Sequence, residues 1–126
     1  MKSKSLFFIV VLAILISCGQ SINHRTTLGV EYAKQELHNG LTDTTQKQIL
    51  VDTLIKDKET AITIAEAILY KIYGKDNITA QQPYEVNLID GYWILNGTLQ
   101  KNMLGGTFLI IINSTNGQII KLTHGK

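Results

Sequence analysis

Residues Pro83 to Lys126, PYEVNLIDGYWILNGTLQKNMLGGTFLIIINSTNGQIIKLTHGK, decide the fold. Four apolar runs are separated by Asp90-Gly91, by a loop closing on Gly105-Gly106, and by Asn116-Gly117. Runs of β-branched and aromatic residues broken by such pairs signal antiparallel strands joined by tight turns. Alternation gives Tyr84, Val86 and Leu88 to one face of the first strand, and Glu85, Asn87 and Ile89 to the other. In the second strand, expected over Tyr92–Leu99, Trp93, Leu95 and Gly97 alternate with Tyr92, Ile94 and Asn96, so both faces are partly apolar. One face therefore calls for a covering helix, and the other for a pocket or a partner. Gly97 within this run points to a bulge or bend. Thr107–Asn113 is apolar at nearly every position and reads as a central strand. Gln118–His124 reads as the last.

The covering helix is expected over Asp57–Gly74. Asp57 supplies an N-cap and Glu59 a negative charge in the first turn. Ala61, Ile64, Ala65, Ile68, Leu69 and Ile72 form one apolar stripe at helical spacing, and the two alanines suggest close approach to the sheet. Lys71 stands in the last turn, and Gly74 fits the left-handed position after it. Upstream, Leu28–His38 has helix-compatible spacing, with Gly40 as a stop signal. Ile49–Ile55 reads as a strand or extended segment.

At the N-terminus, Lys2 and Lys4 precede the apolar run Leu6–Ile16. A basic segment followed by a short apolar one is a secretory signal, too short for the roughly 20 apolar residues that a membrane-crossing helix needs. Its end, Leu15-Ile16-Ser17-Cys18-Gly19, closely resembles the bacterial lipoprotein signal, the lipobox. That resemblance implies cleavage before Cys18, a diacylglycerol thioether on its sulfur and an acyl chain on the new N-terminus. Residues 1–17 would be signal peptide, and residues 18–56 the lipidated cysteine, a polar tether from Gly19 to Thr27 and a weakly structured segment. Residues 57–126 would be the domain. The expected location is the cell envelope, anchored through lipid and facing the extracytoplasmic side.

Charge and chemistry narrow the function. Of 126 residues, 12 are Lys or Arg and 10 are Asp or Glu. Removal of Lys2 and Lys4 leaves the mature chain neutral, which gives no reason to expect a nucleic-acid partner. Cys18 is the only cysteine, so no intrachain disulfide can form. His24 and His38 lack Cys, Asp or Glu at metal-ligand spacing and read as solvated residues, so no metal or cofactor is expected. Gly105-Gly106 is followed by a strand, not by the helix N-terminus of a phosphate loop. His124 with Asp90 or Glu85 is the nearest approach to a catalytic set, and no nucleophile accompanies it. No enzyme is expected.

From about Asp57 to Lys126 the chain resembles a family of bacterial immunity proteins with an NTF2-like fold, associated with polymorphic toxin systems. The resemblance rests on ETAITIAEAILYKIYG, PYEV, Trp93, Asn96-Gly97-Thr98-Leu99, Gly105-Gly106-Thr107-Phe108, Asn116-Gly117 and His124-Gly125-Lys126. It implies an α+β fold: a curved antiparallel sheet of about four strands wrapped against one main amphipathic helix. A full fold of this kind uses about three helices, so this one is expected to be reduced, with Leu28–His38 as a second helix. The resemblance also implies binding and neutralisation of a cognate toxin. Tyr84, Tyr92, Trp93, Lys101, Asn102 and Met103 are the candidate partner-binding residues, a sheet edge rich in hot-spot types and a loop. The alternative is a lipoprotein that holds a small ligand on the concave face of its sheet.

Overall fold

The computed structural model describes residues 26–45 and 48–125. Cys18, the apolar run before it, most of the tether and Lys126 lie outside the described residues. The chain divides into two compact units, Met1–Thr42 and Asp43–Lys126. In the first, helix α1 spans Gly29–Thr42 and has no buried residue. It continues two residues past Gly40, so that glycine does not end it.

The second unit is α+β. Helix α2 (Lys58–Tyr73) and the short helix α3 (Lys75–Thr79) precede four strands, β1 (Glu85–Ile89), β2 (Tyr92–Asn96), β3 (Phe108–Asn113) and β4 (Ile119–His124). The strands form one antiparallel sheet in the order β1-β2-β3-β4, curved as the NTF2-like fold requires. Asp57 caps α2 as the sequence leads one to expect: the Thr60 N–H donates to its carboxylate over 2.8 Å, and the Thr60 hydroxyl over 2.9 Å. Those bonds hold the Asp57 carboxyl below its ordinary value of 3.8, the backbone N–H contributing most. At the other end Gly74, with φ of 86°, turns the chain directly into α3, while its N–H bonds Tyr70 O.

Ala61, Ala65 and Leu69 of α2 are buried against Trp93, Leu95, Phe108, Ile110 and Ile112 of the inner strands, with Ile78 of α3 and Ile55 completing the core. Of the expected stripe, Ile72 departs: it is 55% exposed, and Ile62 is half-buried in addition. Helix α3 has no counterpart in the sequence reading, yet its Ile78 is fully buried. Ile49–Ile55 forms no strand. Its end is pinned instead by backbone bonds, Leu54 N–H and Ile55 N–H both donating to Ser114 O over 3.0 and 2.9 Å.

Asp90 and Gly91 both have positive φ, 49° and 80°, the primed turn whose twist suits a two-residue hairpin. Asn116-Gly117 turns the chain within a longer connection, where Gly117 N–H bonds Asn113 O and Asn113 N–H bonds Gln118 O. Gly97 marks no bulge. A side chain there would fall 2.8 Å from Gln81 Cβ and 3.1 Å from its Cδ, so glycine serves to admit Gln81. The register shift in the sheet lies between β3 and β4, at Ile111/Ile112.

Candidate functional site

The sheet has one covered face and one open face. Trp93, Leu95, Phe108, Ile110 and Ile112 fill the covered face, each no more than 6% exposed. That face is occupied by packed side chains. On the open face the register sets Ile89 beside Tyr92, Tyr92 beside Asn113, and Ile94 beside Ile111. Ile89, Asp90, Tyr92, Ile94, Ile111 and Ile120 line a shallow depression of about 360 Å³. Ile89 and Ile120 are 55% and 49% exposed, and Tyr92 37%. β-branched side chains form this floor because they fit a pleated surface well. Nothing among the described residues of the Asp43–Lys126 unit covers them. Such a contiguous apolar patch, with polar Asp90 at its rim, has the character of an interaction surface.

The six candidate residues do not form one surface. Trp93 is buried on the covered face, and its indole N–H donates to Ile55 O over 3.0 Å. Tyr84 lies on the same side: its ring meets Phe108 edge-on at 5.1 Å, and its hydroxyl donates to Glu66 Oε1 over 3.0 Å. Burial first, and the neighbouring Glu66 carboxylate second, push the Tyr84 phenol well above its ordinary value. Tyr92 is the one candidate on the open face. Lys101, Asn102 and Met103 are exposed in the β2–β3 loop, beyond the other end of β2 from Tyr92. Roughly 14 Å of strand separates Tyr92 from Asn96, at ~3.4 Å per residue, before that loop begins. The same loop presents Leu104, fully exposed. Sequence reading did not select Ile89, Ile94, Ile111 or Ile120; the signal was the second apolar face it noted along Tyr92, Ile94 and Asn96.

Tyr73 packs on the His124 ring, with centroids 4.9 Å apart. His124 itself belongs to a structural network. Its Nε2 lies 3.0 Å from the amide nitrogen of buried Gln81, whose carbonyl oxygen accepts the Phe108 N–H at 2.9 Å. That second bond fixes the orientation of the Gln81 amide. His124 Nε2 must then accept, leaving Nδ1 to donate to Gly125 O over 2.7 Å. Among the described residues, no group of three or more His, Cys, Asp or Glu side chains is placed to hold a metal ion. No described helix is long and apolar enough to cross a membrane.

Comparison with known proteins places this geometry. The family model described as NTF2 fold immunity protein matches residues 60–126, more than half of the chain. The protein called "Uncharacterized protein YhhH" from Escherichia coli (strain K12) is 34% identical over 77 residues, 60% of this chain and 61% of that protein. The chain thus spans somewhat under two thirds of that relative's length. "Uncharacterized protein YbbC" from the same organism is 25% identical over 129 residues, covering 100% of both chains. No solved structure matches the chain.

Proposed function

Because the chain belongs to the NTF2 fold immunity protein family, we propose that it binds a cognate protein toxin and neutralises it. The open apolar face of the sheet is the observation that carries this reading to a surface. Neutralisation by binding requires a patch that stays exposed in the free protein and loses water on contact. Ile89, Tyr92 and Ile120 meet that requirement over a floor of half-buried Ile94 and Ile111, and Tyr92 supplies the aromatic anchor that such interfaces favour. At ~25 cal/mol per Å² of apolar area removed from water, a patch of this kind contributes affinity in proportion to the fit of the partner. Lys101, Asn102 and Met103, beyond the far end of β2, form a second and separate contact.

The reading includes a location. The lipobox-like run ending at Cys18 supports a lipid-anchored protein of the cell envelope, with the polar residues after it as tether. At ~0.8 kcal/mol per buried CH₂, two or more acyl chains hold a protein firmly at a bilayer. In that position it would meet a toxin on the extracytoplasmic side. Two experiments test the two parts. A candidate toxin, sought among the genes neighbouring this one, should co-purify with the chain, and failure of every such candidate to do so would remove the binding claim. Cys18→Ala should release the protein from the membrane fraction; a variant that stays bound would remove the anchor.

A further inference from the structure

The two edges of the sheet differ. The ladder between β4 and β3 is interrupted by the shift at Ile111/Ile112, and β4 carries Lys121. Irregularity and lysine both discourage edge-to-edge pairing. β1 carries neither. Glu85 to Ile89 pair with β2 in unbroken register, and Leu88 and Ile89 stay 52% and 55% exposed on opposite faces. The two-residue turn at Asp90-Gly91 determines which backbone groups are spoken for. Its closing pair, Ile89 and Tyr92, exchanges both hydrogen bonds, so Asn87 and Glu85 also bond inward. The N–H and C=O of Val86 and Leu88 therefore point away from the sheet. The bond from Gly97 N–H to Phe108 O falls where this alternation requires on the next ladder.

We propose that β1 pairs with β1 of a second copy of this chain, antiparallel about a two-fold axis at Asn87, joining two four-stranded sheets into one of eight. In this register Val86 of one copy lies opposite Leu88 of the other, and their outward groups satisfy each other. Glu85 lies opposite Ile89, so no like charges face across the seam. All five residues of the strand pair. The side chains of Val86 and Leu88 share one face of β1, so across the seam the two copies set four apolar side chains side by side. This self-complementarity of register selects a second copy over an unrelated strand. The inference rests on strand geometry and does not depend on a toxin binding the open face.

At the two-fold axis Asn87 meets its own copy in a non-hydrogen-bonded pair, with Cα atoms about 4.5 Å apart. That separation lies inside the range of ~4.4–6.8 Å that a disulfide spans. The test uses the full chain in detergent solution, with Cys18→Ser removing the native thiol. Under mild oxidation Asn87→Cys should give a covalent dimer. Glu85→Cys should not, because its own copy sits roughly 14 Å along the strand at ~3.4 Å per residue. By sedimentation equilibrium the wild-type chain should dimerise with rising concentration, and Leu88→Lys should abolish the dimer. Three results would each overturn the proposal: a wild-type monomer at every concentration, equal cross-linking by the two cysteine variants, or a Leu88→Lys dimer.

Discussion

Gln81 and Phe108 are joined by the bond that locks the helical layer to the sheet. The Phe108 N–H donates to Gln81 Oε1 over 2.9 Å, while the Gln81 amide nitrogen reaches Asn77 O at 3.2 Å and His124 Nε2 at 3.0 Å. One side chain, 4% exposed, thus connects the end of α3, the start of β3 and the end of β4. Gln81 O also accepts the Thr98 N–H at 2.9 Å. Gln81→Leu keeps the volume and removes the side-chain bonds, leaving the Phe108 N–H buried without a partner. An orphaned buried donor costs about 1–3 kcal/mol. Urea denaturation should show a loss of that size or more, because the His124 contact goes too.

Gly106 and Gly125 pass each other backbone to backbone. A side chain on Gly106 would land on the Gly125 main chain, and one on Gly125 would lie 2.8 Å from Gly106 Cα. Backbone cannot swing aside as the end of a long side chain can. Gly106→Ala should therefore cost roughly 1–3 kcal/mol, the usual range for forced overpacking. Gly40→Ala meets nothing within 4 Å, and its melting temperature should not fall.

Trp93→Phe removes the donor to Ile55 O and leaves space beside the core. Together these should destabilise the domain by about 2–4 kcal/mol. Because the ring lies on the covered face, the proposed toxin binding should remain in the folded fraction. Melting and binding measured on the same sample would separate the two effects.

The Asp57 cap should make stability pH-dependent at the acid end. Its carboxyl is held below 3.8 in the folded state, so its contribution is present above that value and is lost as pH falls through the folded value. Asn also caps helices and does not titrate in this range. The melting temperature of the wild type should therefore drop more steeply than that of Asp57→Asn between about pH 6 and pH 3. Parallel profiles would show that the cap carries no charge-dependent stabilisation.

The sheet was legible because its turn chemistry is local: Asp90-Gly91 specifies a hairpin whatever surrounds it. The caps of α2, Asp57 and Gly74, were legible for the same reason. Ile72 was not, since periodicity gives the angle of a side chain about the helix axis and not how far its partner extends along that axis. Helix α3 is too short to show a period, and its one buried residue, Ile78, looks like any isolated isoleucine. Gln81 reads as polar surface until Gly97 is seen to make room for it. For the candidate site, alternation tells which side chains share a face but not which face the helix covers. Both faces carry aromatic residues, so Trp93 and Tyr92 could be separated only by the fold.

The open face bears the central claim, and growth protection tests it most directly. Cells producing the cognate toxin proposed for this chain should survive when the wild-type protein is co-expressed. Ile111→Arg places a charge on the floor of the apolar depression, on a side chain only half-buried in the free domain. Its expected result is loss of protection, with an unchanged melting temperature to exclude unfolding. Full protection by a folded Ile111→Arg variant would contradict the assignment of the surface, and no protection by the wild type would contradict the function itself.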